Sequence, residues 1–185
     1  MNKTIHKTIT SIVVLFWATM FFSCDGNLNE VRMLEQEITD PQSEAKNFNL
    51  FYTDSGRVKA NIRGPIMLDY THFDYPYRKF PAGVEVDVFD NDSTKNTIVA
   101  DFAVVYEKDE LIDLRDNVVI VTSDSTVLKS NQIYFDQNAN WIFTDVNYEI
   151  QMPNGAINKG EGFDANDNFD NFNSRTNRGK QYIDE

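Results

Sequence analysis

Cys24 is the only cysteine of the 185-residue chain, and the residues before it indicate which chemistry its thiol undergoes. Lys3 and Lys7 precede an apolar run over residues 12–22, and a serine stands directly before the cysteine. A basic start, a short apolar core and a small residue before the cleavage point are typical of a secretory signal. A cysteine directly after that small residue is typical of a lipobox, in which the thiol is acylated and becomes the mature N-terminus. The sequence therefore predicts a lipoprotein signal peptide over residues 1–23 and lipidation at Cys24.

This prediction places the protein outside the cytoplasm, tethered to a membrane by lipid. Two or three acyl chains on Cys24 would give an anchor that is hard to reverse. The alternative is a signal sequence that merely ends near a free cysteine. Because no second cysteine is present, the exported protein would then carry an unpaired thiol, which is unusual for an exported protein.

Charge and composition exclude several functions. Fifteen of the 17 basic residues and all 29 acidic residues lie after residue 23, so that part carries a net charge of −14. Such a charge argues against binding nucleic acid or lying on an anionic lipid surface. His72 is the only histidine beyond the signal, and no serine has a nucleophile-elbow context. We therefore expect no catalytic residue, no metal site and no cofactor.

The hydropathy pattern after the signal indicates strands. Residues 24–46 are polar and acidic and are predicted to form a lipidated tether. Beyond them, Val84, Val86 and Val88 alternate with polar residues, as in a half-buried antiparallel strand. Similar runs recur about every ten residues up to residue 173, among them one alternation that continues over residues 98–106 and a strand over residues 111–121 with a bend at residues 116–117. This spacing favours one all-β domain over residues 47–173. Residues 174–185 are expected to be a flexible tail.

A repeat of 30 residues is visible inside this pattern. Asn117 and Asn147 share the offset, as do Lys129 and Lys159. A period of this size that is built from strands favours stacked hairpins with one continuous apolar interior. Coincidence between registers in a strand-rich chain is the alternative.

Several segments resemble one known family. They are FYTDSG at residues 51–56, KFPAGVEV at residues 79–86, and the step IVADFA at residues 98–103. Segments similar to residues 98–103 follow at residues 129–134 and 159–163. In this order, behind a lipobox, the chain resembles the LptC family of periplasmic lipopolysaccharide-export proteins, in the lipoprotein form of Bacteroidetes-type bacteria.

The resemblance implies a twisted, boat-shaped antiparallel β-jellyroll with an open apolar trough for the acyl chains of lipopolysaccharide. It also implies a place on the periplasmic side of the inner membrane. The N-terminal edge would accept lipopolysaccharide from an inner-membrane ABC transporter, and the C-terminal edge would pass it to a periplasmic bridge protein of the same fold. Better-known relatives use an uncleaved transmembrane helix, whereas this chain is predicted to use a lipid.

Two sets of candidate residues follow. The trough candidates are apolar residues on one face of successive strands, together with a phenylalanine beside a predicted turn: Ile62, Phe80, Val86, Val88, Ile98, Phe102, Val104, Val119, Ile133, Phe135 and Phe143. An ordinary filled sandwich core is the alternative for the same residues. The partner-edge candidates lie near the two ends of the domain: Phe48, Leu50, Tyr52, Phe163 and Phe169. A proline at Phe163 is predicted to weaken pairing with the bridge protein, because it removes a strand donor.

A different function remains open at this point. An aromatic run contains Tyr70, Phe73, Tyr75 and Tyr77, and Trp141 lies further along the chain. Exposed rings of this kind on a lipid-anchored β-sandwich can stack on sugars, so a glycan-binding lipoprotein at the cell surface is the alternative function. An all-β hydrolase is the third and least supported.

Overall fold

The computed structural model describes residues 39–89, 94–166, 169 and 171–180. Cys24, the predicted signal peptide and most of the predicted tether lie outside the described residues. Within the described part of the chain, no helix has the length and apolar character needed to cross a membrane.

The domain is all-β and antiparallel, which confirms the predicted fold class. Its strands are β1 Ser43–Asp54, β2 Arg57–Asp69, β3 Tyr77–Phe80, β4 Val84–Phe89, β5 Lys95–Ala100, β6 Phe102–Tyr106, β7 Leu111–Val121, β8 Val127–Asp136, β9 Trp141–Gln151, β10 Ile157–Asn166 and β11 Phe172–Lys180. β1 begins at Ser43, so the strands start before the predicted boundary at residue 47.

Two long strands divide the sheet into two halves. On one side β7 pairs with β8, and on its other side it pairs with β6 through residues 111–115 and with β5 through residues 119–121. β2 is divided in the same way between β3 and β4. One half therefore contains the short strands β3 and β6, and the other contains β4 and β5, as in a jellyroll. β1 pairs with β2 and β11 pairs with β10, so these two strands form the edges of the described sheet.

The long strands bend at the boundary between the halves. Register shifts occur between Arg115 and Val118 in β7 and between Glu161 and Phe163 in β10. Asp116 and Asn117 have φ values of 59° and 50°, a conformation that Asp and Asn tolerate better than most residues. A local insertion of this kind bends a strand and increases its twist. The bend predicted at residues 116–117 is therefore present.

A row of directly paired apolar residues crosses seven strands on one face of the sheet. In order it contains Leu50, Ile62, Val86, Ile98, Ile120, Leu128 and Ile150. We call the face that carries this row the inner face, and the opposite side the outer face. The inner faces of the two halves pack together around Leu114, Ile133 and Phe163, which are at most 4% exposed.

Two predictions about strand boundaries were wrong. Residues 98–106 were expected to continue one alternation, but the chain breaks at Asp101, whose N–H donates to the carbonyl oxygen of Asp116 at 2.9 Å. Residues 174–180, expected in the flexible tail, are the larger part of β11 and pair with β10. The polar character of that segment concealed a strand, because an edge strand needs few apolar residues.

Candidate functional site

An apolar cavity of about 330 Å³ lies between the inner faces of the two halves. Its lining consists of Val88, Phe89, Asn96, Ile98, Leu114, Ile120, Thr122, Ile133, Phe135, Ile142 and Phe169. None of these eleven residues is ionisable. β4 and β5 contribute one wall, β8 and β9 the opposite wall, and β7 both, because it passes through the bend. The space can accept an apolar group but offers no acid, base or nucleophile.

Seven of the eleven trough candidates lie on the inner face. Four of them line the cavity itself: Val88, Ile98, Ile133 and Phe135. The other three belong to the adjoining packed core: Ile62, Phe80 and Val86. A filled core therefore adjoins a cavity on this face of the sheet.

Phe102 and Val104 lie on the outer face, so they are not part of the predicted lining. Because the chain breaks at Asp101, the alternation changes phase, and Ala103 rather than Phe102 is in the core. The Phe102 ring lies 5.4 Å from Nζ of Lys79. Val104 pairs with Lys79 and with a buried aspartate on the neighbouring strand.

Val119 and Phe143 also lie on the outer face. Val119 belongs to an unbroken run of four apolar residues, in which alternation gives no signal, and it pairs with Lys129. Phe143 stacks on Tyr134 with ring centroids 5.2 Å apart. Its neighbour Thr144 is fully buried instead, and its hydroxyl donates to a backbone carbonyl oxygen at 2.6 Å. Because the buried residue of this pair is the polar Thr144, the hydropathy pattern assigned Phe143 to the wrong face.

Several lining residues were missed. Leu114 and Ile120 lie on either side of the bend, and counting separately from each side would have assigned both to the inner face. Ile142 lies beside the misassigned Phe143. Asn96 and Thr122 add polar groups to the wall, and Oδ1 of Asn96 accepts the N–H of Ser123 at 2.8 Å.

The N-terminal edge candidates lie on β1 with their side chains on the inner face. Phe48 packs into the core against Phe80, with ring centroids 5.7 Å apart. Leu50 and Tyr52 are 44% and 63% exposed. The apolar inner surface therefore continues outward along the β1–β2 hairpin beyond the packed core.

The C-terminal edge candidates are not at an edge. Phe163 lies on β10, is fully buried, and contacts Tyr148 and Phe172. Phe169 lies in the turn before β11 and lines the cavity. A proline at Phe163 would therefore disrupt the core and would not test partner pairing, because the edge strand is β11.

Charged groups are concentrated on the outer face. Nη1 of Arg63 donates to Asp87 at 2.8 Å, and the hydroxyl of Thr97 donates to the same carboxylate at 2.7 Å. Burial raises the pKa of Asp87, but the hydrogen bonds from Thr97, Arg63 and Lys95 outweigh it and hold that pKa below its ordinary value. The sheet thus separates a neutral inner face from a charged outer one.

The aromatic run considered for sugar stacking forms a small cluster of its own. Tyr70 stacks on Tyr77 at 4.7 Å, and Phe73 lies 5.7 Å from Tyr70 between ring centroids. Tyr75 meets Tyr106 edge to face. Most of these rings contact one another, so local packing is sufficient to explain why aromatic residues occur here.

The comparison with protein families matches this architecture. A family model described as "Lipopolysaccharide-assembly, LptC-related" matches residues 9–173, most of the chain. Among curated proteins, no match was found. The family match agrees with the antiparallel all-β fold of the described residues. The chain therefore belongs to the LptC family of lipopolysaccharide-transport components.

Proposed function

We propose that the apolar cavity binds acyl chains of lipopolysaccharide during their passage across the periplasm. The observation that carries this proposal is the 330 Å³ space, walled by the inner faces of both halves and free of ionisable lining. Ligand pockets in proteins commonly begin at about 300 Å³. The exposed Leu50 and Tyr52 extend the same apolar surface toward the N-terminal edge.

Binding of this kind suits a conduit. Each buried methylene contributes about 0.8 kcal/mol without requiring a specific contact, so a chain can slide while it stays bound. The role requires no catalysis and no cofactor. Direction would come from ATP hydrolysis by the transporter.

The two edge strands are the proposed contact points for partners. β1, with the exposed Leu50 and Tyr52, would face the inner-membrane ABC transporter, whereas Phe48 is held in the core. β11 would pair with a periplasmic bridge protein of the same fold. Exposed edges carry unpaired backbone groups, which a partner strand can satisfy.

Lipidation of Cys24 is proposed as the anchor on the periplasmic side of the inner membrane. The cysteine follows a signal-like segment and has no possible disulfide partner in the chain. Fractionation of cells that express Cys24→Ala tests the anchor: the variant is expected in the soluble or precursor fraction, whereas the wild type stays in the membrane.

The binding proposal is tested with a matched pair of substitutions. Val88 and Val99 are 38% and 39% exposed, but Val88 lines the cavity and Val99 lies on the outer face. Val88→Asp introduces a charge into the cavity and is expected to weaken binding of a fluorescent lipopolysaccharide by at least tenfold. Val99→Asp is expected to bind as the wild type does. Equal affinity in both variants would contradict the proposal.

A further inference from the structure

A groove of about 960 Å³ crosses β7 to β11 on the outer face, where the long strands bend. Its floor is the backbone of a directly paired row that includes Ser130, Tyr148 and Gly160. The side chains of Ser130 and Tyr148 are buried on the inner side of the sheet. The outer side of this row therefore leaves an open channel, which crosses five strands and is about 19 Å long at the usual strand spacing.

Two rows of side chains form the rims of the groove, because residues two apart share a face of a strand. One rim carries Asn131 and Asn147, and Glu161 pairs directly with Asn147. The other rim contains Lys129, Glu149, Lys159 and Arg178, paired in that order. Lys129 and Lys159 are related by the 30-residue repeat and lie on alternate strands of this rim, roughly 10 Å apart.

The amides of Asn131 and Asn147 are available to a ligand. Both residues are exposed, and within the described residues neither side chain has a hydrogen-bond partner. Neither residue has a positive φ, so backbone conformation does not require asparagine at these positions. Each amide offers two donors and one acceptor oxygen toward the groove.

The composition of the rims restricts the ligand class. Lys159 pairs with Glu149. The lining holds three cations and two acids, so its net charge is only +1 within a strongly acidic protein. This balance disfavours a polyanion. A protein partner would need an apolar or aromatic centre, but the rims carry mainly amide and charged groups. Neutral hydroxyl-rich chains fit neighbouring side-chain amides, because each amide offers both donors and an acceptor.

We propose that this outer groove binds a neutral linear glycan, with Asn131 and Asn147 as the contact residues. The site is separate from the aromatic cluster at residues 70–77. It also lies on the opposite side of the sheet from the apolar cavity, so it can be occupied independently of lipid.

The test uses the full mature chain in detergent and a hexamer of β-1,4-linked N-acetylglucosamine as the probe. Isothermal titration calorimetry is expected to give a Kd of about 1 mM or tighter for the wild type. The double variant Asn131→Ala/Asn147→Ala is expected to weaken binding by at least tenfold. Asn138→Ala, an exposed asparagine in the β8–β9 turn, is expected to bind as the wild type does.

Thermal unfolding of each variant verifies that the fold is retained. Absence of binding by the wild type, or unchanged binding by the folded double variant, would overturn the proposal. Val88→Asp is expected to leave glycan binding intact, so the outcome at the groove is distinguishable from the outcome at the cavity.

Discussion

Ile98 of β5 pairs directly with Ile120 of β7, and both side chains line the apolar cavity. This contact joins the β4–β5 hairpin to the long strand that passes through both halves. It continues on one side through Val86 and on the other through Leu128. The cavity wall is therefore part of the same row of residues that stabilises the sheet.

The first prediction concerns this row. Ile120 is 4% exposed, whereas its neighbour Val121 is 37% exposed on the other face. Ile120→Ala is expected to lower the free energy of unfolding by about 2–5 kcal/mol, because it removes buried contacts beside an existing cavity. Val121→Ala is expected to change it by about 0.5 kcal/mol. Urea denaturation measures both values, and similar losses in the two variants would contradict the assignment of faces.

The second prediction concerns stability in acid. The pKa of Asp87 is lower in the folded protein than in the unfolded chain, where it is about 3.9. Its stabilising contribution is therefore complete above the unfolded value and is lost as the pH falls through the lower folded value. Asp87→Asn is expected to reduce stability at neutral pH and to flatten the loss of stability below about pH 4.

Denaturation at a series of pH values measures this effect. Asp74→Asn, an exposed aspartate outside the Arg63 network, serves as the control and is expected to keep the wild-type acid profile. If Asp87→Asn showed that same profile, the stabilising network around Arg63 would lose its support.

The third prediction distinguishes the two edge strands. Phe51 on β1 is 62% exposed, and Arg175 on β11 is also exposed. A photo-crosslinking residue at position 51 is expected to capture a transporter subunit in cells, and one at position 175 to capture the bridge protein. Capture of the same partner from both positions would contradict the proposed direction of transfer.

The sequence predicted the fold class and much of the inner face, for physical reasons that also explain its errors. Alternation in β4 is complete, so Val86 and Val88 were assigned to the correct face. The break at Asp101 depends on a hydrogen bond to Asp116, a residue distant in sequence, and it reversed the assignment of Phe102. A local pattern cannot reveal such a long-range contact.

The presence of the cavity also could not be predicted from the local hydropathy pattern. Apolar alternation is the same for a filled core and for an open space, because both require one apolar face. Whether Leu114 and Ile142 meet opposing side chains or border empty space depends on how the two halves pack. The polar β11 was missed for a related reason, since its place in the sheet is fixed by backbone pairing with β10.

The central claim is that acyl chains occupy the inner face. Ile98 and Val99 are adjacent on β5, with Ile98 in the cavity wall and Val99 exposed on the outer face. A photo-crosslinking residue is placed at each position in living cells, and the adducts are probed for lipopolysaccharide. The account predicts an ATP-dependent lipopolysaccharide adduct at position 98 and none at position 99. No adduct at position 98 in folded, membrane-anchored protein, or equal adducts at both positions, would contradict it.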